Sequence, residues 1–170
     1  IDGLAEMADA WVGGQGDRDR TLAIMKDPYC GPMGVTAVVA VLLLKFTALS
    51  ELVQNAPLLL LLAPILGRSF VVLLMLTTPY CRDVGLASEM VRHMPRKLLW
   101  ALLTVIAVVL VVCLQWSAAS LLALSLVLFF LYRRALVKRL QGFTGDAAGA
   151  LIELIEALTL LLLVVATSAP

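Results

Sequence analysis

Five long apolar runs, separated by short polar segments, constrain the fold of this chain more than any other feature. They cover about residues 34–53, 57–78, 98–115, 117–132 and 148–167. A transmembrane helix needs roughly 20 mostly apolar residues, so each run approaches the length that crosses a bilayer. With 62% hydrophobic residues and a mean hydropathy of +1.00, the chain is typical of membrane proteins. We expect an all-α, polytopic integral membrane helical bundle with about five spans and short cytoplasmic interfacial helices.

Two details of the runs predict local geometry. Only residues Gln115 to Ser117 separate the third run from the fourth, so these two should form a tight helical hairpin. In the second run, Pro57 suits the first helical turn, whereas Pro64 and Gly67 are expected to kink or loosen the middle.

The positions of the cations predict the orientation. Eleven of the thirteen Lys and Arg residues lie before the first run, between the second and third, or between the fourth and fifth. By the positive-inside rule, residues 1–33 and the loops 79–97 and 133–147 are cytoplasmic. We therefore expect one membrane domain over 1–170, with transmembrane helices in 34–170. The net charge of +1 indicates no nucleic-acid partner.

The start of the chain carries a stripe of acids. Asp2, Glu6 and Asp9 are spaced i, i+4 and i+7, so on a helix they project within about 40° of one another. Such carboxylates repel unless a cation lies between them, and hard oxygen ligands suit Mg²⁺ or Mn²⁺. From spacing alone, a solvated helix face explains the stripe equally well.

The segments after the stripe are predicted to be short and interfacial. Gly13, Gly14 and Gly16 indicate a turn, and Arg20 to Asp27 are expected to form a short helix.

A second set of charges lies within the apolar runs. Asp146 precedes the last run, and Glu153 and Glu156 follow roughly 8 and 12 Å into it. Lys45 and Arg68 lie within the first two runs, where a cation costs at least roughly 2.5 kcal/mol and should not face lipid. We expect a polar cavity, open to the cytoplasm, in which Glu153 or Glu156 balances Lys45 or Arg68. The alternatives are a structural ion pair for these four and an N-cap for Asp146.

Arg82, in the loop after the second run, is placed to meet a phosphate, because a guanidinium binds phosphate oxygens in bidentate fashion. The same residue would serve equally as a topology-setting cation.

The order of these motifs resembles the cobalamin synthase family, the adenosylcobinamide-GDP ribazoletransferases. The resemblance covers essentially the whole chain. It is carried by Asp2-Gly-Leu-Ala-Glu-Met-Ala-Asp9, Gly13-Gly14, Arg20-Thr-Leu-Ala-Ile-Met-Lys-Asp27 with Gly31 and Gly34, Gly67-Arg68, Arg82 with Gly85, and Gly145-Asp146-Ala-Ala-Gly149-Ala150 with Glu153 and Glu156.

Two departures from the family pattern stand out. The family usually has His, one residue, then Asp-Gly-Leu-Ala-Asp, whereas this sequence begins after that His and has Glu6 at the later Asp position. Glu keeps the carboxylate and lengthens its reach. We expect the sequence to be a fragment that lacks the natural N-terminal part, which in the family carries the His and further membrane helices.

The resemblance implies a multi-pass enzyme of the bacterial inner membrane with its active site facing the cytoplasm. The implied substrates are adenosylcobinamide-GDP and α-ribazole or its 5′-phosphate, the implied product is GMP, and the implied cofactor is Mg²⁺, with Mn²⁺ as a substitute. Whether the protein forms a homo-oligomer stays open.

The resemblance also implies roles for individual residues. The implied catalytic residues are Asp2, Glu6, Asp9 and Asp146, and the implied metal ligands are Asp2, Glu6, Asp9, Asp27 and Asp146. The substrate-binding candidates are Lys26, Asp27, Arg68, Arg82, Lys45, Glu153 and Glu156.

Two other functions stay open at this stage. A CDP-alcohol phosphotransferase also uses membrane-embedded acids and Mg²⁺, but its Asp-Gly-x-x-Ala-Arg run would need Arg where Glu6 stands. A transporter or channel subunit would line its pathway with the charges inside the runs. The discriminating observation is whether the carboxylates gather at the cytoplasmic face or run through the membrane.

Overall fold

The computed structural model describes residues 1–81 and 86–168 and is almost entirely helical. Within these ranges the only β-type pairing is an isolated bridge between Tyr80 and Phe143. The helices are α1 (Asp2–Gly13), α2 (Arg18–Ile24), α3 (Pro32–Asn55), α4 (Leu62–Thr77, preceded by a 3₁₀ turn at Pro57–Leu61), α5 (Leu86–Arg92), α6 (Arg96–Leu140) and α7 (Gly145–Ser168).

The described residues contain five stretches that are long and apolar enough to cross a membrane, as predicted. They are Pro32–Asn55, Pro57–Thr77, Arg96–Cys113, Ala119–Leu140 and Gly145–Thr167. Their many exposed aliphatic side chains would be costly in water and are accommodated by lipid. The all-α membrane bundle is therefore confirmed.

The long element α6 doubles back on itself. Near its start, Arg96 Nη2 donates to Leu76 O at 2.6 Å, and near its end Arg133 Nη2 donates to Thr77 O at 2.7 Å. A straight helix would separate positions 96 and 133 by about 55 Å. The halves 96–113 and 119–140 must therefore run in opposite directions, which agrees with the predicted hairpin.

Helix α7 lies at the centre of the bundle. It packs against α4, α1, α3 and α6. The rest of the chain buries 44% of the α7 span, compared with 6–28% of each of the other four spans. Leu151 and Ile155 are fully buried there, and the rings of Phe70 and Phe129 meet nearby at 5.6 Å. The residues on α7 are thus the ones whose side chains the fold positions most firmly.

Arginines from other elements cap the C-terminal ends of two helices. Arg96 and Arg133 bind the last carbonyls of α4, and Arg18 Nε donates to Leu140 O at 3.1 Å at the end of α6. The last carbonyls of a helix lack intrahelical partners and carry partial negative charge, so cations stabilise them. These arginines therefore have a packing role in addition to the orientation role that their positions predict.

Two local predictions need correction. Helix α2 begins at Arg18, because the Asp17 carboxylate accepts the Arg20 N–H at 2.7 Å and caps the helix two residues earlier than expected. Pro64 does not interrupt its span, because it lies in the first turn of α4, where a missing N–H breaks no helical bond. The irregular part of that span is the 3₁₀ turn before it.

Candidate functional site

The acid-bearing helix α1 lies in close contact with α7 and α3. A Cβ added to Gly3 would lie 2.6 Å from Asp146 O and 2.9 Å from Asp146 Cα, so only glycine allows this approach of the two backbones. Gly149, one turn along α7, faces Gly3 as well, since a Cβ added to Gly149 would lie 3.7 Å from Gly3 Cα. The glycines of the two acidic motifs thus bring those motifs together.

One small polar cavity collects the acids of α1. Asp2, Glu6 and Asp9 line it from one side, and Asp27, in the loop after α2, lines it from another. Its volume is about 50 Å³, with Tyr29 and Cys30 among the remaining walls. The prediction that the three acids share one face of α1 is confirmed, and Asp27 lines the same cavity from the loop after α2. We call this cavity the acidic pocket.

Asp9 has a further set of contacts. Its carboxylate accepts the backbone N–H of Gly31 at 2.7 Å and that of Gly34 at 2.9 Å. These two glycines form the N-terminal end of α3. Asp9 therefore joins α1 to α3 as well as lining the pocket.

The donor chemistry of the acidic pocket fits a hard divalent cation, since four carboxylates line it. In residues 1–81 and 86–168, however, no three His, Cys, Asp or Glu side chains are grouped as ligands of one ion. Mg²⁺ is commonly held by one or two carboxylates, with waters and substrate phosphates as the other ligands. The pocket matches that mode and not a closed protein cage.

Asp146 is not the N-cap of α7. Thr144 has that role, because its Oγ1 accepts the Ala147 N–H at 3.2 Å. Asp146 lies in the first turn of α7 and is partly buried, with its backbone against Gly3. It is not among the walls of the acidic pocket. Asp146 thus meets the α1 motif through its backbone and does not line that cavity.

The charges inside the spans form one ion network. Lys45 Nζ lies 2.7 Å from both Glu153 Oε2 and Glu156 Oε2, and Arg68 Nη1 binds Glu156 Oε1. The predicted pairing of these acids and cations is confirmed. Lys45 and both glutamates are at most 17% exposed, whereas 61% of the Arg68 side chain is exposed. Substrate binding by these four residues stays a prediction.

Arg139 makes long-range contacts that no sequence pattern predicts. From the end of α6, its Nη1 donates to Trp11 O at 2.7 Å and its Nε to Thr21 Oγ1 at 3.1 Å. It also contacts Gly14, where any side chain would collide with the Arg139 guanidinium and with Thr21. No spacing in the sequence relates position 139 to α1, since the contact spans 128 residues.

Of the two side chains predicted to bind phosphate, the structure describes only Lys26. Lys26 is exposed and precedes Asp27 of the acidic pocket, so it lies at the edge of that site. Arg82 lies outside the described residues.

Comparison with known proteins agrees with the resemblance seen in the motifs. Residues 1–164 match the family model described as CobS: Cobalamin-5-phosphate synthase. A protein of Ectopseudomonas mendocina, named adenosylcobinamide-GDP ribazoletransferase, is 53% identical over 165 residues, which are 96% of this chain and 67% of that protein. A protein of Pseudomonas fluorescens with the same name is 48% identical over 157 residues, covering 92% of this chain and 65% of that protein.

The chain spans about two thirds of the length of these curated relatives, 67% of one and 65% of the other. No solved structure matches it.

Proposed function

Because the chain belongs to the cobalamin-5-phosphate synthase family, we propose that the protein transfers the cobinamide-phosphate group of adenosylcobinamide-GDP to α-ribazole or α-ribazole 5′-phosphate and releases GMP. This is the final assembly step of the nucleotide loop of adenosylcobalamin. The observation that carries the proposal is the convergence of Asp2, Glu6, Asp9 and Asp27 on one small pocket.

The reaction is a phosphoryl transfer. The ribose hydroxyl oxygen of α-ribazole forms a bond to the phosphorus attached to cobinamide, the bond from that phosphorus to the bridging oxygen of GMP breaks, and the hydroxyl proton passes to a base. Such a reaction asks the protein mainly for positioning of the two substrates and neutralisation of phosphate charge.

The residues of the acidic pocket suit these tasks. One or two of the carboxylates of Asp2, Glu6 and Asp27 would hold Mg²⁺, or Mn²⁺ in its place, and the bound cation would supply charge neutralisation at the phosphoryl oxygens. Among the acids of α1 and the neighbouring Asp146, one carboxylate would accept the hydroxyl proton. Lys26 and Arg82 would bind the remaining phosphate charge. The cation distribution supports a site that faces the cytoplasm from the inner membrane.

The arrangement of charges favours this enzyme over a transporter. The pocket acids lie where α1 meets the start of α3. The charges deeper in the spans are bound to one another. A conducting pathway would instead need such charges to face a continuous polar opening.

A GMP-release assay tests the proposal. The protein in lipid nanodiscs is incubated with adenosylcobinamide-GDP and α-ribazole, with and without Mg²⁺. We expect release that depends on both Mg²⁺ and α-ribazole, a large loss in Asp2→Asn, and little change in Asp19→Asn, an exposed acid on α2 outside the pocket. A folded preparation that releases no GMP would exclude the proposed activity. Full metal-dependent transfer by Asp2→Asn would remove Asp2 from the site.

A further inference from the structure

We infer that Asp9 is a positioning residue, which holds the start of α3 and the preceding loop against α1, and that it is not a ligand of the cation. Asp2, Glu6 and Asp27 are then the pocket acids that meet cation or substrate. The capping part of this inference stands on the geometry alone, whereas the assignment of the other acids rests on the proposed function.

The N-terminus of α3 lacks a cap of its own. Its N-cap residue is Gly31, which has no side chain to offer, and Pro32 follows at the first helical position without an N–H. The N–H groups at the start of a helix have no intrahelical partner and need an acceptor. The Asp9 carboxylate supplies that acceptor for Gly31 and Gly34 from 22 and 25 residues earlier in the chain. It does what a Ser or Asp N-cap does within its own helix.

The two glycines are required by this arrangement. A Cβ on Gly31 would lie 2.5 Å from Asp9 Oδ1, and one on Gly34 would collide with Asp9 Oδ2. Any larger residue at either position would displace the carboxylate. The pairing of Asp9 with the Gly31 and Gly34 motif therefore has a geometric reason that does not involve a metal.

The cap also changes the electrostatics of the acid stripe. Each oxygen of Asp9 accepts one N–H, and the positive end of the α3 dipole offsets its charge. Asp9 consequently adds less repulsion to Asp2 and Glu6 than an isolated carboxylate would. Its oxygens are also less available to a cation than those of a carboxylate that caps no helix.

The cap acts on the pocket through the loop before α3. That loop carries Asp27 and ends at Gly31, so fixing Gly31 fixes one end of the segment that presents Asp27 to Asp2 and Glu6. Loss of the cap would loosen this wall of the acidic pocket while leaving its other acids in place.

Amide hydrogen exchange of the protein in nanodiscs tests the capping role without reference to activity. We expect exchange in the peptide covering residues 28–35 to rise about tenfold in Asp9→Ala and less in Asp9→Asn, whose amide oxygen still accepts a hydrogen bond. Asp2→Asn, the matched control on the same helix, should leave this peptide unchanged. Unchanged exchange in Asp9→Ala would overturn the inference.

Binding of Mn²⁺ alone separates positioning from ligation. Asn and Ala both remove the carboxylate, so a direct ligand would lose Mn²⁺ affinity equally in the two variants. We expect Asp9→Asn to stay within about threefold of the unsubstituted protein, Asp9→Ala to be weaker, and Asp2→Asn to lose about tenfold. Equal, large losses in both Asp9 variants would overturn the inference. If the unsubstituted protein binds no Mn²⁺, the metal part of the proposed function fails, and the exchange experiment still decides whether Asp9 caps α3.

Discussion

The Arg139 guanidinium lies over the indole ring of Trp11, 4.4 Å from the ring centre, and donates a hydrogen bond to the Trp11 carbonyl oxygen at 2.7 Å. One side chain from the end of α6 thus stacks on α1 and caps its C-terminus. The acid stripe lies on the same helix, so this contact fixes the end of α1 that lies beyond the acids.

We predict that Arg139→Lys lowers stability, because lysine keeps the charge but loses the planar fork that binds carbonyl oxygen and stacks on indole. The expected loss is about 1–3 kcal/mol. Thermal unfolding in detergent measures it. Arg134→Lys, an exposed position on the same helix, is the control and should change little. Equal unfolding midpoints for the two variants would contradict a stabilising contact between Arg139 and Trp11.

Lys45→Met is expected to destabilise the protein strongly. Lys45 contacts both Glu153 and Glu156, and its removal leaves two mostly buried carboxylates with fewer partners. Breaking a buried ion pair from one side costs about 3–5 kcal/mol. Glu51→Gln, at an exposed position on the same helix, should cost far less. Unfolding midpoints in lipid or detergent compare the two variants, and a similar small shift in both would argue against the network.

We predict that Gly3→Ala disrupts the contact between α1 and α7. The new methyl group would meet the Asp146 backbone, which cannot move as a flexible side chain can. Overpacking of this kind costs about 1–3 kcal/mol, and GMP release should fall with it. Gly145→Ala is the matched control, since nothing lies within 4 Å of its added Cβ. Equal stability of the two alanine variants would contradict the close contact between the α1 and α7 backbones at Gly3.

Asp27→Asn should raise the Mg²⁺ concentration for half-maximal GMP release about tenfold, because a neutral amide is a poorer ligand in the acidic pocket. Chelation by EDTA should abolish release, and added Mn²⁺ should restore it. The measurement is a Mg²⁺ titration of the transfer rate, with Asp19→Asn as the control. An unchanged titration curve for Asp27→Asn would show that Asp27 is not near the cation.

Alkylation of Cys30 should report the charge of the pocket. Partial desolvation is the largest cause that raises the pKa of the Cys30 thiol. The nearby Asp9 and Asp2 carboxylates raise it further. A raised pKa means less thiolate at a given pH, so the reaction with iodoacetamide should begin at higher pH than for an ordinary thiol. Asp9→Asn should shift this profile toward lower pH. Mass spectrometry of the Cys30 peptide measures the rate, and an unshifted profile would contradict the charge effect.

The membrane bundle could be predicted from the sequence because its causes are local. Apolar length predicts the five spans, and helical spacing alone places Asp2, Glu6 and Asp9 on one face. The cost of a charge in the bilayer also predicted that Lys45 would meet a glutamate, although not that it would meet two.

The division of tasks among the polar residues was decided only by the tertiary structure. Asp9 reaches the α3 N-terminus, Arg139 reaches α1, and Thr144 takes the capping role open to Asp146. The contacts made by Asp9 and Arg139 span 22 and 128 residues. They depend on how whole helices pack, whereas spacing along the chain determines only which side chains share a helix face. The sequence therefore determined which charges had to find partners, and the packing of α1, α3, α6 and α7 determined which partners they found.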